Sequence, residues 1–174
     1  EALLDRAAEM LRAAKRPLVW LGGGCVAAAG PVRELAARLG APVVSTLNGR
    51  GIVATEDPQF VGSQTHYPGF RDLLDQADMV LAIGTRFQAV ATWFWSLPMP
   101  PRMIRIDIDG KMLSRNYTPE LAITGDAGAC VRCSRCSGAA GRCQQLGCRR
   151  REQLVQVRRR CARAGRSRGT RRRP

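Results

Sequence analysis

Three consecutive glycines, Gly22, Gly23 and Gly24, close the apolar run PLVWL, and Cys25-Val26-Ala27 then completes a G-x-G-x-x-A pattern. Between a strand and a helix, such glycines let the backbone approach a pyrophosphate, and the helix offers its free N–H groups. The same residues also suit a plain tight turn, and both readings stand. A nicotinamide dinucleotide site wants a carboxylate at the end of the second strand to hold the ribose. Thr46-Leu47-Asn48 occupy that place, which argues against a nicotinamide oxidoreductase.

Other groups could do chemistry. Asp107 and Asp109 of IDID, two apart, would share a face only if their strand continues regularly. Paired carboxylates could then serve acid–base work; a ribose contact or strand closure is the preferred reading. His66, the single histidine, sits in a polar loop without a neighbouring nucleophile or acid, and suits a cofactor-lining or surface position. Arg86 follows Gly84 at a strand end, where it could meet a phosphate, stack on a ring or stay solvated. Trp93-Phe94-Trp95 could form a stacking platform, although packing in a core or interface is preferred. No catalytic residue and no metal ligand is assigned.

The elements that must position these residues read as α/β. ALLDRAAEMLRAAKR, residues 2–16, has helical spacing, with Leu3, Leu4, Ala7, Ala8 and Leu11 on one face. Pro17 stops it, and PLVWL reads as a buried parallel strand. AGPVRELAARLG is a helix with Pro31 in its first turn and Gly40 past its end. APVVSTLNGRG supplies a second strand and a glycine-rich loop, DMVLAIGTRF a strand ending at Gly84, and RMIRIDIDG and LAITGDA further strands; FRDLLDQA is a further helix, while residues 57–69 carry too many turn formers for regular structure. KMLSRNY suits a short helix. The expected fold is a Rossmann-like, doubly wound, mostly parallel sheet of about five to six strands. Its strands end in GGG, TLNG, GTRF, DID and GDA, all polar or glycine-rich, as a nucleotide groove requires.

Charge divides the chain. Residues 1–127 balance 13 basic against 13 acidic side chains, whereas residues 128–174 hold 15 arginines and only Glu152. The whole net charge of +14 therefore lies after residue 127. Six of the seven cysteines lie there too, leaving Cys25 alone in the body. The body reads as a reduced, cytoplasmic domain rather than a disulfide scaffold. No apolar run approaches the roughly 20 residues of a membrane span. The chain opens at Glu1 directly on a helix, and a fragment of a longer protein is expected.

The series GGG, ELAARLGAPVVSTLNGRG, DQADMVLAIGTRF, IRIDID and LAITGDA, in this order and spacing, resembles the central domain of thiamine-diphosphate-dependent enzymes. Acetolactate synthase and benzoylformate decarboxylase are the relatives meant, and the resemblance covers residues 1–127. It implies a full enzyme, dimeric or tetrameric, with thiamine diphosphate and Mg²⁺ held between two outer domains. Neither outer domain is in this sequence, so decarboxylation or carboligation by this chain alone is not expected. It further implies that the central domain takes FAD, ADP or nothing. Carried over by position, the cofactor-lining residues are Gly22, Gly23, Gly24, Leu47, Asn48, Thr65, His66, Gly84, Arg86, Asp107, Ile108, Asp126 and Ala127. Two stretches depart from the flavin-binding pattern: Arg86-Phe87-Gln88-Ala89-Val90 replaces RFDDR, and HYPG replaces HG.

Residues 128–174 fit none of this. The spacing Cys130-x₂-Cys133-x₂-Cys136 resembles part of an iron–sulfur run, but the later cysteines match no zinc or cluster pattern. Three RRR runs could bind nucleic acid nonspecifically, which gives the alternative of a stand-alone nucleotide-binding module with a nucleic-acid-binding tail. The favoured reading is a reading-frame slip near residues 127–132. Ala/Leu-rich helical codons in GC-rich DNA, read one base off, yield Arg, Cys, Gly, Ser and Pro. With so few large apolar residues, the tail is expected to be disordered.

Overall fold

The computed structural model describes residues 1–132 apart from Gln64 and Tyr67. The disorder, metal and nucleic-acid expectations for the arginine-rich tail concern residues outside that range, save for its first five.

Those five pack against the body. Residues 127–132 form a helix, α4 (Ala127–Arg132), that buries Ala127, Gly128, Cys130 and Val131. The packed body therefore runs past residue 127. Asp126 caps the new helix: its Oδ1 accepts from the Ala129 amide at 2.8 Å.

Six parallel strands form one sheet: β1 (Pro17–Leu21), β2 (Val43–Ser45), β3 (Phe60–Gly62), β4 (Met79–Ile83), β5 (Met103–Asp107) and β6 (Leu121–Thr124). Their spatial order is β3-β2-β1-β4-β5-β6, the doubly wound order whose direction reverses between β1 and β4. All five residues of β1, β4 and β5 are buried, because helices or loops cover both faces; β1 and β4 accordingly read as unbroken apolar runs, whereas β5 carries Arg105 and Asp107. β3 lies where regular structure was not expected. It is a three-residue edge strand with an irregular register against β2, too short to outweigh its turn-forming neighbours in sequence.

Two cores flank the sheet. One face carries α1 (Ala2–Ala13), α2 (Ala29–Leu39) and α4 over Val19, Leu21, Leu81, Ile83, Ile104 and Ile106. The other buries Leu18, Trp20, Val80, Ala82 and Met103 beneath α3 (Pro68–Gln76) and the segment after β4. Trp20 is the centre of that second core, edge-on to Phe70 and Phe87 at 5.5 and 5.1 Å. Truncating such a side chain costs about 3–5 kcal/mol. In α1 the buried face is Ala7, Ala8, Met10 and Leu11, while Leu3 stays half exposed. The helix rests on β6. The Asp78 carboxylate accepts from the Lys15 and Arg16 amides at 2.6 and 2.8 Å, tying the entry of β1 to that of β4.

Candidate functional site

The register brings the ends of β1 and β4 level, because Leu21 pairs with Ile83. Their following loops then touch backbone to backbone. The Gly22 amide donates to the Ile83 carbonyl at 2.9 Å, and the Gly24 amide to that of Gly84 at 3.0 Å. A Cβ on Gly22 would lie 2.1 Å from the Gly84 oxygen, and Gly84 itself sits at φ +58°. Only glycine fits at either place. The loop after β2 joins them: a Cβ on Gly23 would lie 3.0 Å from the Asn48 Cβ, and one on Gly49 2.8 Å from the Leu21 oxygen. Much of the glycine requirement is thus met by the protein's own loops packing together.

Cys25 sits inside this junction. Its thiol donates to the Gly22 carbonyl at 3.0 Å. Burial pushes its pKa up to about 11, against a smaller downward pull from backbone hydrogen bonds. It is a neutral, structural thiol, since the nucleophile would be the thiolate.

Above the junction the edge is apolar. Val26, Leu47 and Ile108, on the loops after β1, β2 and β5, are 52%, 56% and 75% exposed. Charge is zoned along the same edge. Arg50 and Arg86 follow β2 and β4, whereas Asp107 ends β5, and Asp109 and Asp126 follow β5 and β6. At the carboxyl end of β2 the Ser45 hydroxyl is buried without a hydrogen-bond partner.

The loop after β4 has unusual backbone. Phe87, Trp93, Phe94 and Trp95 adopt φ of 46°, 51°, 53° and 61°, a left-handed region that costs a non-glycine residue roughly 1–2 kcal/mol. Hydrogen bonds hold them there. The Phe94 amide donates to the Ala89 carbonyl at 2.7 Å, and the Trp95 indole N–H to that of Phe87 at 2.8 Å. The Thr92 hydroxyl, itself donating to Gln88, accepts from the Trp95 amide at 3.2 Å. Phe94 is nevertheless 77% exposed and the two tryptophans nearly half exposed, so of the core or interface packing expected for this triplet, packing in the core of this chain is not found.

The comparisons with known proteins bear on this geometry. Residues 4–133 match the family model described as the thiamine pyrophosphate enzyme, central domain. The chain belongs to that central-domain family. It is 35% identical over 124 residues to the probable 2-ketoarginine decarboxylase AruI of Pseudomonas aeruginosa, covering 71% of this chain and 22% of that protein. It is also 35% identical over 130 residues to the acetolactate synthase isozyme 1 large subunit of Escherichia coli, covering 72% and 23%. A solved structure from Mycobacterium smegmatis, described as a thiamin diphosphate-dependent enzyme, superposes with a TM-score of 0.63 at 23% identity. It shares 78% of this chain and 27% of its own, and shows the fold. The chain thus spans about a fifth of the length of the curated relatives.

Within this central domain the carried-over residues fall into groups. Gly22, Gly23, Gly24, Asn48 and Gly84 meet at the loop junction. Leu47, Arg86 and Ile108 stand exposed around it. Thr65 is buried, its hydroxyl donating to the Ala91 carbonyl at 2.7 Å, and it joins two loops; His66 beside it is exposed. The IDID carboxylates do not pair on one strand face. β5 ends at Asp107, whose Oδ1 accepts from the Asp109 amide at 3.0 Å, and Asp109 turns away to cap residues 110–112. Asp126 and Ala127 begin α4. Sequence reasoning passed over Arg50, whose Nε donates to Ser63 Oγ at 2.9 Å on the rim. Its place in TLNGRG, directly after a strand, was the available signal. Among the described residues no helix is long and apolar enough to cross a membrane.

Proposed function

We propose that this central domain binds the ADP moiety of a nucleotide, free ADP or FAD, along the carboxyl edge of its sheet. The observation that carries the reading is the exposure of Val26, Leu47 and Ile108 around the glycine junction. Open α/β sheets bind ligands where the strand order reverses, and large apolar side chains there are suited to a planar ring. Arg50 and Arg86, on the loops flanking β1, suit the diphosphate. Asp107 and Asp109 suit ribose hydroxyls. The unpartnered Ser45 hydroxyl adds a polar group at the same end of the sheet. A bound ADP moiety would supply no reacting atoms; it would tie the loops together.

The relatives carry the names of a decarboxylase and of synthases. We read this domain as the central scaffold of such a thiamine-diphosphate- and Mg²⁺-dependent 2-oxo-acid enzyme, with the reaction centre on its other domains and homo-oligomers as the assembled form. Calorimetric titration of the chain with ADP and FAD tests the site. Saturable binding is expected, weakened about tenfold by Leu47→Asp, since a carboxylate there meets the diphosphate or ring unfavourably. No binding of either ligand overturns the reading. Ligand at 100 times its Kd should also stabilise the domain by about 2.7 kcal/mol.

A further inference from the structure

Arg105 lies in the middle of β5, between Ile104 and Ile106, and is 1% exposed. A guanidinium in such a place must find partners, because an unpaired buried charge is prohibitively desolvated. Its partners are not a tight carboxylate pair. Nη1 donates to the Arg115 and Tyr117 carbonyls at 2.9 and 3.1 Å, and Nη2 to the Thr85 carbonyl at 3.1 Å. The guanidinium also lies over the Phe87 ring, 4.9 Å from its centroid. Burial lowers its pKa, and the Asp107 charge partly restores it.

All three carbonyls belong to irregular backbone, at the exit of β4 and in the connection from β5 to β6. An apolar side chain of similar volume would fill a strand interior at no greater cost. What only a five-donor fork supplies is a tie between those two loops.

The tie continues outward. Phe87 packs edge-on to Tyr117 at 5.3 Å, and its carbonyl receives the Trp95 indole N–H. Arg86 lies between the two residues that Arg105 holds, Thr85 and Phe87. We propose that Arg105 is a positioning residue: through Thr85 and Phe87 it sets both Arg86 and the left-handed Trp93–Trp95 turn on the rim of the sheet. The part of this that concerns ligand affinity rests on the nucleotide reading above; the part that concerns the turn does not.

The chain reports on itself. Of its three tryptophans, Trp20 is fully buried, whereas Trp93 and Trp95 are each 46% exposed. Acrylamide quenching of the whole chain therefore follows the turn. Arg105→Lys keeps the charge and loses the fork. With far-UV circular dichroism unchanged, it is expected to raise the quenching constant about twofold and to weaken ADP binding about tenfold, the worth of roughly one charge-assisted hydrogen bond. Arg86→Gln is expected to weaken ADP similarly with quenching unchanged. Unchanged quenching in a folded Arg105→Lys overturns the proposal, whatever ADP does. Raised quenching in a chain that never binds ADP upholds the positioning and overturns the nucleotide reading instead. Should Arg105→Lys fail to fold, Phe87→Leu removes the ring under the guanidinium at similar volume. Raised quenching in that variant supports the proposal, and wild-type quenching overturns it.

Discussion

The amide of Gly24 donates to the carbonyl of Gly84 at 3.0 Å, across the place where the strand order reverses. Two loops distant in sequence share one hydrogen-bonded junction, and the carboxyl edge of the sheet is built around it. The glycines belong first to that junction; a ligand would rest on what they assemble.

Gly22→Ala and Gly84→Ala should each destabilise the domain by about 3 kcal/mol or more, since backbone cannot move aside as a flexible side chain can. Gly30 supplies the control. It is helical and exposed, with nothing within 4 Å of a Cβ. Gly30→Ala should be neutral or stabilise by roughly 0.5 kcal/mol. Urea denaturation of the three variants decides it, and equal losses in all three would contradict the junction.

Alkaline pH should weaken the fold through Cys25. The folded thiol ionises at about 11 against an ordinary 9.0. Below pH 9 it is neutral in both states and contributes no pH dependence. Between pH 9 and 11 the unfolded chain releases the proton first, so stability falls as pH rises, by about 2–3 kcal/mol. Cys25→Ala should lack that share of the loss when unfolding is compared at pH 8 and pH 11.

Asp126→Ala removes the cap of α4 and should cost about 1 kcal/mol; Asp126→Asn, which keeps the acceptor, should cost little. Thermal unfolding distinguishes them. Equal losses would mean that the charge of Asp126, rather than its hydrogen bond to Ala129, is what matters.

Ser45→Ala should stabilise the apo domain by about 1 kcal/mol, because it deletes a buried hydroxyl that has no partner. If the hydroxyl serves a ligand, the same variant should bind ADP more weakly. A destabilised Ser45→Ala would show that the hydroxyl is satisfied within the fold.

The strands and helices were legible in sequence for a simple reason. Strands covered on both faces are predominantly apolar, so PLVWL and DMVLAI declare themselves, and Gly40 in a left-handed conformation ends α2 where a glycine was seen. The edge strand β3 was hidden because a three-residue pairing rests on its neighbour, not on its own composition. The family, too, followed from the order and spacing of short motifs.

The candidate site was legible only as a set of strand ends. Sequence alone determined that Gly22, Asn48, Gly84, Arg86 and Asp107 would gather at one edge, since parallel strands all finish on the same side. Tertiary structure decided what each does there. Gly22 meets Gly84, Thr65 bonds Ala91 and Asp107 bonds Asp109. An arginine inside a strand becomes the tie between two loops. Such roles depend on pairings between distant segments, and local composition does not encode which backbone carbonyl a buried side chain will find.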